Sequence, residues 1–227
     1  MKWLALLLAG AGWAAGCAEA QGLTLSPVMI SAPADGGAAS LTLTSGLAAP
    51  KLMQVRVFDW TQPDGGEQLI PSETVRFGPE IFELAPGMSQ TVRFRLPDTD
   101  GAGTWKVVID ELPGAAEAAP EGSAQLSLRL RYILSMFAAD AGDPASLTAT
   151  AGEGGLELHN GGEGWLKLHG LELYAPDGST VPAEAGIVYL LPGARVTVPV
   201  EADPGAYPVL RYASGPGTYT LDLQRAR

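Results

Sequence analysis

The sequence predicts an all-β protein made of two β-sandwiches in tandem. Its 227 residues are enough for two domains of about 100 residues each. Helical patterns are scarce, while 29 glycines and 18 prolines separate short runs that are rich in Leu, Val and Thr. Short strands at regular spacing, joined by turns, are typical of sandwiches and barrels.

The N-terminus has the pattern of an export signal. Lys2 supplies the positive charge, residues 4–15 form an apolar run, and Ala18-Glu19-Ala20 resembles a cleavage site. We therefore expect residues 1–20 to be a signal peptide and the mature protein to be exported. The apolar run is too short for a stable transmembrane helix, so we expect no membrane insertion after cleavage.

Cys17 is the only cysteine and leaves a second processing route open. Ala14-Ala15-Gly16-Cys17 loosely resembles a lipobox, so lipid attachment at Cys17 is the alternative to cleavage after Ala20. Cleavage after Ala20 leaves a mature chain without disulfides. Its stability must then come from the burial of apolar side chains.

The chain after the signal divides into two groups of strand-like runs. The first group lies in an expected N-terminal domain at residues 21–139, and the second in an expected C-terminal domain at residues 146–227. A polar, strand-poor segment with Gly142 and Pro144 joins them. The runs of the first group are 23–30, 39–44, 52–60, 74–77, 90–96 and 104–109, and those of the second are 156–159, 166–174, 188–190, 195–200 and 218–223.

The clearest single pattern is an alternation at the end of the first group. Apolar side chains occupy every second position there, which predicts a β-strand with one apolar face. Arg129 and Arg131 share the other face with Ile133 and Phe137. This pattern favours a strand that offers its apolar face to a partner, and the alternative is a strand that lines its own sandwich. The alternating residues are Leu126, Leu128, Leu130, Tyr132, Leu134 and Met136.

Charge and composition exclude several functions. The formal net charge of −11 would repel phosphate backbones, so we expect protein partners and no nucleic acid. His159 and His169 are the only histidines, fewer than the ligands of a typical structural metal site. The chain has no Gly-x-Ser-x-Gly nucleophile elbow. We therefore predict no catalytic residues, no metal and no cofactor.

Eight short segments follow one another along the chain in an order that carries a family resemblance. They are 25–27 (LSP), 55–62 (VRVFDWTQ), 77–79 (FGP), 84–93 (LAPGMSQTVR), 105–113 (WKVVIDELP), 131–137 (RYILSMF), 158–162 (LHNGG) and 189–193 (YLLPG). These segments resemble, in the same order, those of the periplasmic chaperones that assemble pili through the usher pathway. The resemblance runs from about Leu23 to the C-terminus and implies that the mature protein is located in the periplasm. The ending RYILSMF resembles the archaic branch of that family.

The resemblance implies two immunoglobulin-like sandwiches in an L-shaped arrangement, with a binding cleft along and between them. It also implies a non-enzymatic function. In that family a pilus or fimbrial subunit lacks its last strand, and the chaperone lends an alternating strand to complete it before an outer-membrane usher receives the subunit. The matching strand here is 126–136. The alternative is a stand-alone extracytoplasmic adhesion or carbohydrate-binding protein, which Cys17 would anchor to lipid.

The resemblance also concerns how a subunit is held. In the conventional branch, an Arg of the first strand and a Lys of the donor strand anchor the C-terminal carboxylate of the subunit. The matching positions here are Met29 and Ile133, so that anchor is missing. Arg129 or Arg131 is the candidate replacement, because a guanidinium can bind a carboxylate through two parallel hydrogen bonds. The alternative is that both arginines belong to a solvated strand face.

Arg93 matches the arginine that braces the two domains in that family. The acidic partner expected near residues 102–103 is missing from this sequence. The resemblance therefore implies an interdomain role for Arg93 without identifying what it would contact.

Overall fold

A computed structural model describes residues 22–33, 36–98, 103–113, 128–138, 140–152 and 154–225. The predicted signal peptide, Cys17 and Leu126 lie outside the described residues. Strands dominate the described residues, which also contain three short 3-10 turns, at Pro63–Gly65, Pro144–Ser146 and Pro204–Ala206. The all-β prediction is confirmed. Within the described part of the chain, no helix is long and apolar enough to span a bilayer.

In the first half of the chain, up to residue 138, the described residues form two sheets. One sheet has the order β1-β3-β8-β6, and the other has the order β2-β10-β9-β4-β5, with β7 also paired to β4. The strands are β1 (Leu23–Ser26), β2 (Met29–Ser31), β3 (Gly37–Ser45), β4 (Lys51–Thr61), β5 (Gln68–Pro71), β6 (Arg76–Gly78), β7 (Ile81–Leu84), β8 (Ser89–Leu96), β9 (Gly103–Leu112) and β10 (Arg131–Ala138).

The core of this half lies between the two sheets. Alternate residues of a strand point to the same face, so the predicted period-two runs place their large apolar side chains together. The predicted run 23–30 differs from the structure, because β1 pairs with β3 while β2 pairs with β10 in the other sheet. The main core residues are Leu41, Leu43, Met53, Val55, Val57, Val92, Phe94, Trp105, Val107 and Ile109.

In the second half of the chain, the residues described from 140 onward form a further pair of sheets. Their orders are β16-β12-β11-β19 and β14-β13-β17-β18, with β15 also paired to β13. The strands are β11 (Leu147–Gly152), β12 (Gly155–Asn160), β13 (Leu166–Tyr174), β14 (Thr180–Pro182), β15 (Ile187–Leu190), β16 (Arg195–Val198), β17 (Val209–Ser214), β18 (Gly217–Asp222) and β19 (Gln224–Arg225).

The core of the second half contains two aromatic side chains from the first half. Trp60 of β4 and Phe137 of β10 are both buried there, next to Trp165. The Phe137 and Trp165 rings are stacked with centroids 4.2 Å apart and an interplanar angle of 13°. The two halves therefore share an apolar interface at the C-terminal end of β10.

Candidate functional site

Strand β10 is paired along its full length on one side only. It pairs antiparallel with β9 from Arg131 to Ala138. On its other side β2 pairs only with Ser135 to Phe137. Among the described residues, no strand covers that side of Arg131–Leu134. We call this side of residues 131–134 the open edge.

The hydrogen-bond pattern shows which backbone groups face the open edge. The carbonyl of Leu130 accepts a hydrogen bond from the Glu111 amide of β9 (3.1 Å). Residues of an antiparallel strand alternate between facing their partner and facing away. The amides and carbonyls of Arg131 and Ile133 therefore point to the open edge. The carbonyl of Phe137 shows the same parity, because it accepts a hydrogen bond from the Ala32 amide (2.9 Å).

The predicted donor residues occupy three different environments. Leu128 and Leu130, just before β10, are 75% and 42% exposed, whereas Tyr132 is half-buried. Leu134 and Met136 are buried in the core of the first half. The even-numbered face of β10 therefore lines its own sandwich from Tyr132 onward. Only its N-terminal part, with the residues before it, is available in the free chain.

Ile133 is an exposed apolar residue on the outer face of the same strand. Its side chain is 54% exposed, and Val108 of β9 is its cross-strand neighbour. Together, Leu128, Leu130 and Ile133 expose apolar side chains at the start of β10 and just before it. Sequence analysis assigned Ile133 to the face opposite the expected contact residues.

The candidate anchor Arg131 is engaged by an acidic neighbour. Its guanidinium donates to Asp110 of β9, directly across the strand pair, and Arg56 of β4 donates to the other carboxylate oxygen at 2.6 Å. Burial of Asp110 opposes its ionisation, but the two guanidinium groups outweigh this effect and hold its pKa below the usual value. Arg129 is exposed, and with these three residues it lines an open groove of about 520 Å³.

Lys106 of β9 is a basic residue that sequence analysis missed. Its side chain is buried, and its amine donates to the Ser135 hydroxyl at 3.1 Å. The amine lies 3.6 Å from the ring centroid of Trp60 and 5.3 Å from that of Tyr189 in β15. Burial lowers the pKa of Lys106, although Glu67, 3.8 Å away, acts in the opposite direction. A lysine inside an apolar strand was the only available sequence signal.

The other positions singled out by the resemblance lie at different places in the fold. Met29 is half-buried against the core of the second half, near the interface. Arg93 of β8 is exposed on the outer face of the sheet β1-β3-β8-β6. Trp60 and Phe137, which contact the second half, belong to the opposite sheet. The contacts described between the halves therefore lie on the sheet opposite Arg93.

Comparison with solved structures identifies proteins with this arrangement of strands. The CsuC chaperone in complex with the tip adhesion subunit CsuE, from archaic Csu pili of Acinetobacter baumannii, matches with a TM-score of 0.66 and 15% identity. The match covers 91% of this chain and 100% of the other. The chain has the fold of the pilus chaperones. No protein-family model matches it, and no curated protein matches its sequence.

Two further chaperones match equally well. The SafB chaperone in complex with the SafA pilin of Salmonella enterica gives a TM-score of 0.67 at 17% identity, with 90% of this chain and 98% of the other covered. The E. coli chaperone DraB gives 0.65 at 16% identity, with 90% and 97% covered. The predicted tandem immunoglobulin-like fold is thus confirmed over nearly the whole length of both kinds of chain.

Proposed function

We propose that the protein is a non-enzymatic periplasmic chaperone that lends the open edge of β10 to pilus or fimbria-like subunits and delivers them to an outer-membrane usher. The observation that carries the proposal is an edge with outward-pointing amides and carbonyls beside exposed apolar side chains. The solved structures of similar fold add support, because SafB is bound to a pilin and CsuC to a tip adhesion subunit.

An open strand edge exposes unpaired backbone groups that can pair with other chains, and the addition of a partner strand uses the same groups for binding. A subunit strand that pairs with Arg131 and Ile133 satisfies backbone groups on both partners, which otherwise promote aggregation. The exposed fractions of Leu128, Leu130 and Ile133 together equal about 1.7 fully exposed side chains. Their complete burial would contribute about 3–5 kcal/mol to the complex.

We propose a smaller set of subunit-binding residues than the alternating pattern alone would give. Leu128, Leu130 and Ile133 would contact the subunit directly, with Tyr132 at the boundary of the core. Leu134 and Met136 hold β10 in its own sandwich, because they are buried in the free chain. A subunit could reach them only if the first half lost part of its core.

The carboxylate anchor remains a proposal with two locations. Arg131 and Arg129 line the groove near the start of β10, and Asp110 already compensates part of that positive charge. Lys106 lies at the other end, between Trp60 and Tyr189. Burial lowers the pKa of Lys106, so an additional counter-charge would favour its charged form. A subunit carboxylate at Lys106 would supply a stronger counter-charge than Glu67 at 3.8 Å.

A matched pair of substitutions tests the proposed function. Ile133→Asp places a charge on the outer face of β10, next to the open edge, and Ile81→Asp makes the same change on β7, where the side chain is 52% exposed. The tagged protein would be purified from periplasm and bound proteins identified by mass spectrometry. We expect a sandwich protein without its last strand to bind wild type and Ile81→Asp but not Ile133→Asp.

Two outcomes would contradict this function. One is that no such subunit co-purifies with the wild type from cells that make surface fibres. The other is equal capture by all three proteins, which would show that binding does not use β10. Thermal melts of the purified variants control for folding, and both substitutions are expected to leave the fold intact because both sites are exposed.

A further inference from the structure

Gln62, the residue after β4, reaches across the interface into the second half. Its side-chain amide nitrogen donates a hydrogen bond to the Tyr189 carbonyl at 2.9 Å. Its side-chain oxygen accepts a hydrogen bond from the Leu191 amide at 2.8 Å. Both partners are backbone groups, at the end of β15 and directly after it.

This pair of bonds reproduces the pairing of one strand residue with another. A glutamine side chain carries the same donor and acceptor groups as a peptide unit. It engages the carbonyl of one residue and the amide of the second residue along, which is the pattern of a β-ladder. Two bonds at fixed spacing define a direction, whereas one bond would permit rotation about it.

Both ends of this link are held firmly. On the side of the first half, the Thr104 hydroxyl of β9 donates to the carbonyl of Trp60 at 2.7 Å. Trp60 precedes Gln62 by two residues, so this bond fixes the backbone next to Gln62. In the second half, the fully buried Asn160 donates to the carbonyls of Leu190 and Leu191 at 3.1 and 3.2 Å. The segment 189–191, to which Gln62 is hydrogen-bonded, is therefore fixed to the core of the second half.

The aromatic contacts of the interface differ in kind from this link. Trp60, Phe137 and Trp165 bury apolar area between the halves, but apolar attraction is non-directional. We propose that Gln62 is the positioning residue that sets the angle between the two halves, while the aromatic rings supply the adhesion. The angle is a property of the free chain, so its measurement requires no subunit.

Double electron–electron resonance, which measures the distance between two spin labels, tests the proposal. Spin labels would be placed at the exposed residues Glu83 and Thr218, one in each half, with Cys17 replaced by Ala. We expect a narrow distance distribution in the wild type and a broad one in Gln62→Met, which keeps the side-chain length but removes both bonds. Gln90→Met is the matched control, because Gln90 is also half-buried but bonds to its own strand at the Thr91 carbonyl.

A second variant separates positioning from general stability. Gln62→Glu keeps the acceptor for the Leu191 amide, but at neutral pH its carboxylate faces the Tyr189 carbonyl without a proton to donate. The distribution should be broad at neutral pH and narrow as the carboxyl is protonated, while the wild type stays narrow throughout. A narrow distribution in Gln62→Met, equal broadening in Gln90→Met, no narrowing of Gln62→Glu in acid, or a broad wild type would each overturn the proposal.

Discussion

Phe137 should contribute to the stability of a half of the chain to which its own strand does not belong. It is fully buried, stacked on Trp165 at 4.2 Å, and its ring centroid is 6.0 Å from those of Trp60 and Tyr189. Truncation of a buried Phe to Ala costs about 3–5 kcal/mol, from lost burial and the cavity left behind. A stacked aromatic pair adds about 0.5–1.5 kcal/mol. We therefore expect Phe137→Ala to lower the free energy of unfolding by about 3.5–6.5 kcal/mol.

The control for this prediction is Phe94→Ala. Phe94 is also buried, and its ring partner Phe77, with centroids 6.1 Å apart, belongs to the same half. Urea unfolding would give the total loss, and hydrogen exchange of the β13 amides would report on the second half. Only Phe137→Ala should speed that exchange. A total loss below about 1 kcal/mol, or unchanged exchange of β13, would refute the assignment of Phe137 to the second core.

Three further predictions concern charged and buried polar groups. Arg131 and Arg56 hold the pKa of Asp110 low in the folded protein. The ionised carboxylate therefore stabilises the fold above its unfolded pKa of about 3.9, and this stabilisation is lost as the pH falls through the lower pKa of the folded protein. Asp110→Asn should flatten the acid limb of urea midpoints, and an unchanged slope would contradict the pairing. Because burial lowers the pKa of Lys106, the wild type should gain stability as pH rises towards the usual lysine value. Lys106→Met should abolish that gain in stability. If the gain persists in Lys106→Met, another titrating group causes it. Asn160→Ala should cost about 3 kcal/mol, because three buried or part-buried carbonyls lose their donor, and a thermal melt like the wild type would contradict this.

Sequence patterns predicted strands well where the alternating side chains are large. Strands β4 and β8 carry Met, Val, Phe, Trp or Leu at their buried positions, so their alternation was evident. Strand β11 was missed because its residues, LTATAG, are mostly small and give little contrast between its faces. Strand β17, VLRYAS, was also missed, because the small residues Ala213 and Ser214 at its C-terminal end give little contrast between its faces.

The candidate site was only partly predictable. The alternation around β10 identified the strand that has an open edge, because that pattern depends on local residues. It did not show that Leu134 and Met136 face the strand's own core, since period two defines two faces without saying what covers each. The roles of Gln62 and Lys106 depend on partners distant in the chain. Gln62 and Tyr189, for example, are 127 positions apart.

The most direct test of strand lending is amide hydrogen exchange of β10 in the free protein and in its complex with a co-purified subunit. The pairing with β9 places the amides of Arg131 and Ile133 on the open edge and those of Tyr132 and Leu134 towards β9. We predict that Tyr132 and Leu134 exchange slowly in both states, and that Arg131 and Ile133 exchange fast when free and slowly when bound. Fast exchange of Arg131 and Ile133 in the complex would contradict the proposal that β10 completes the subunit.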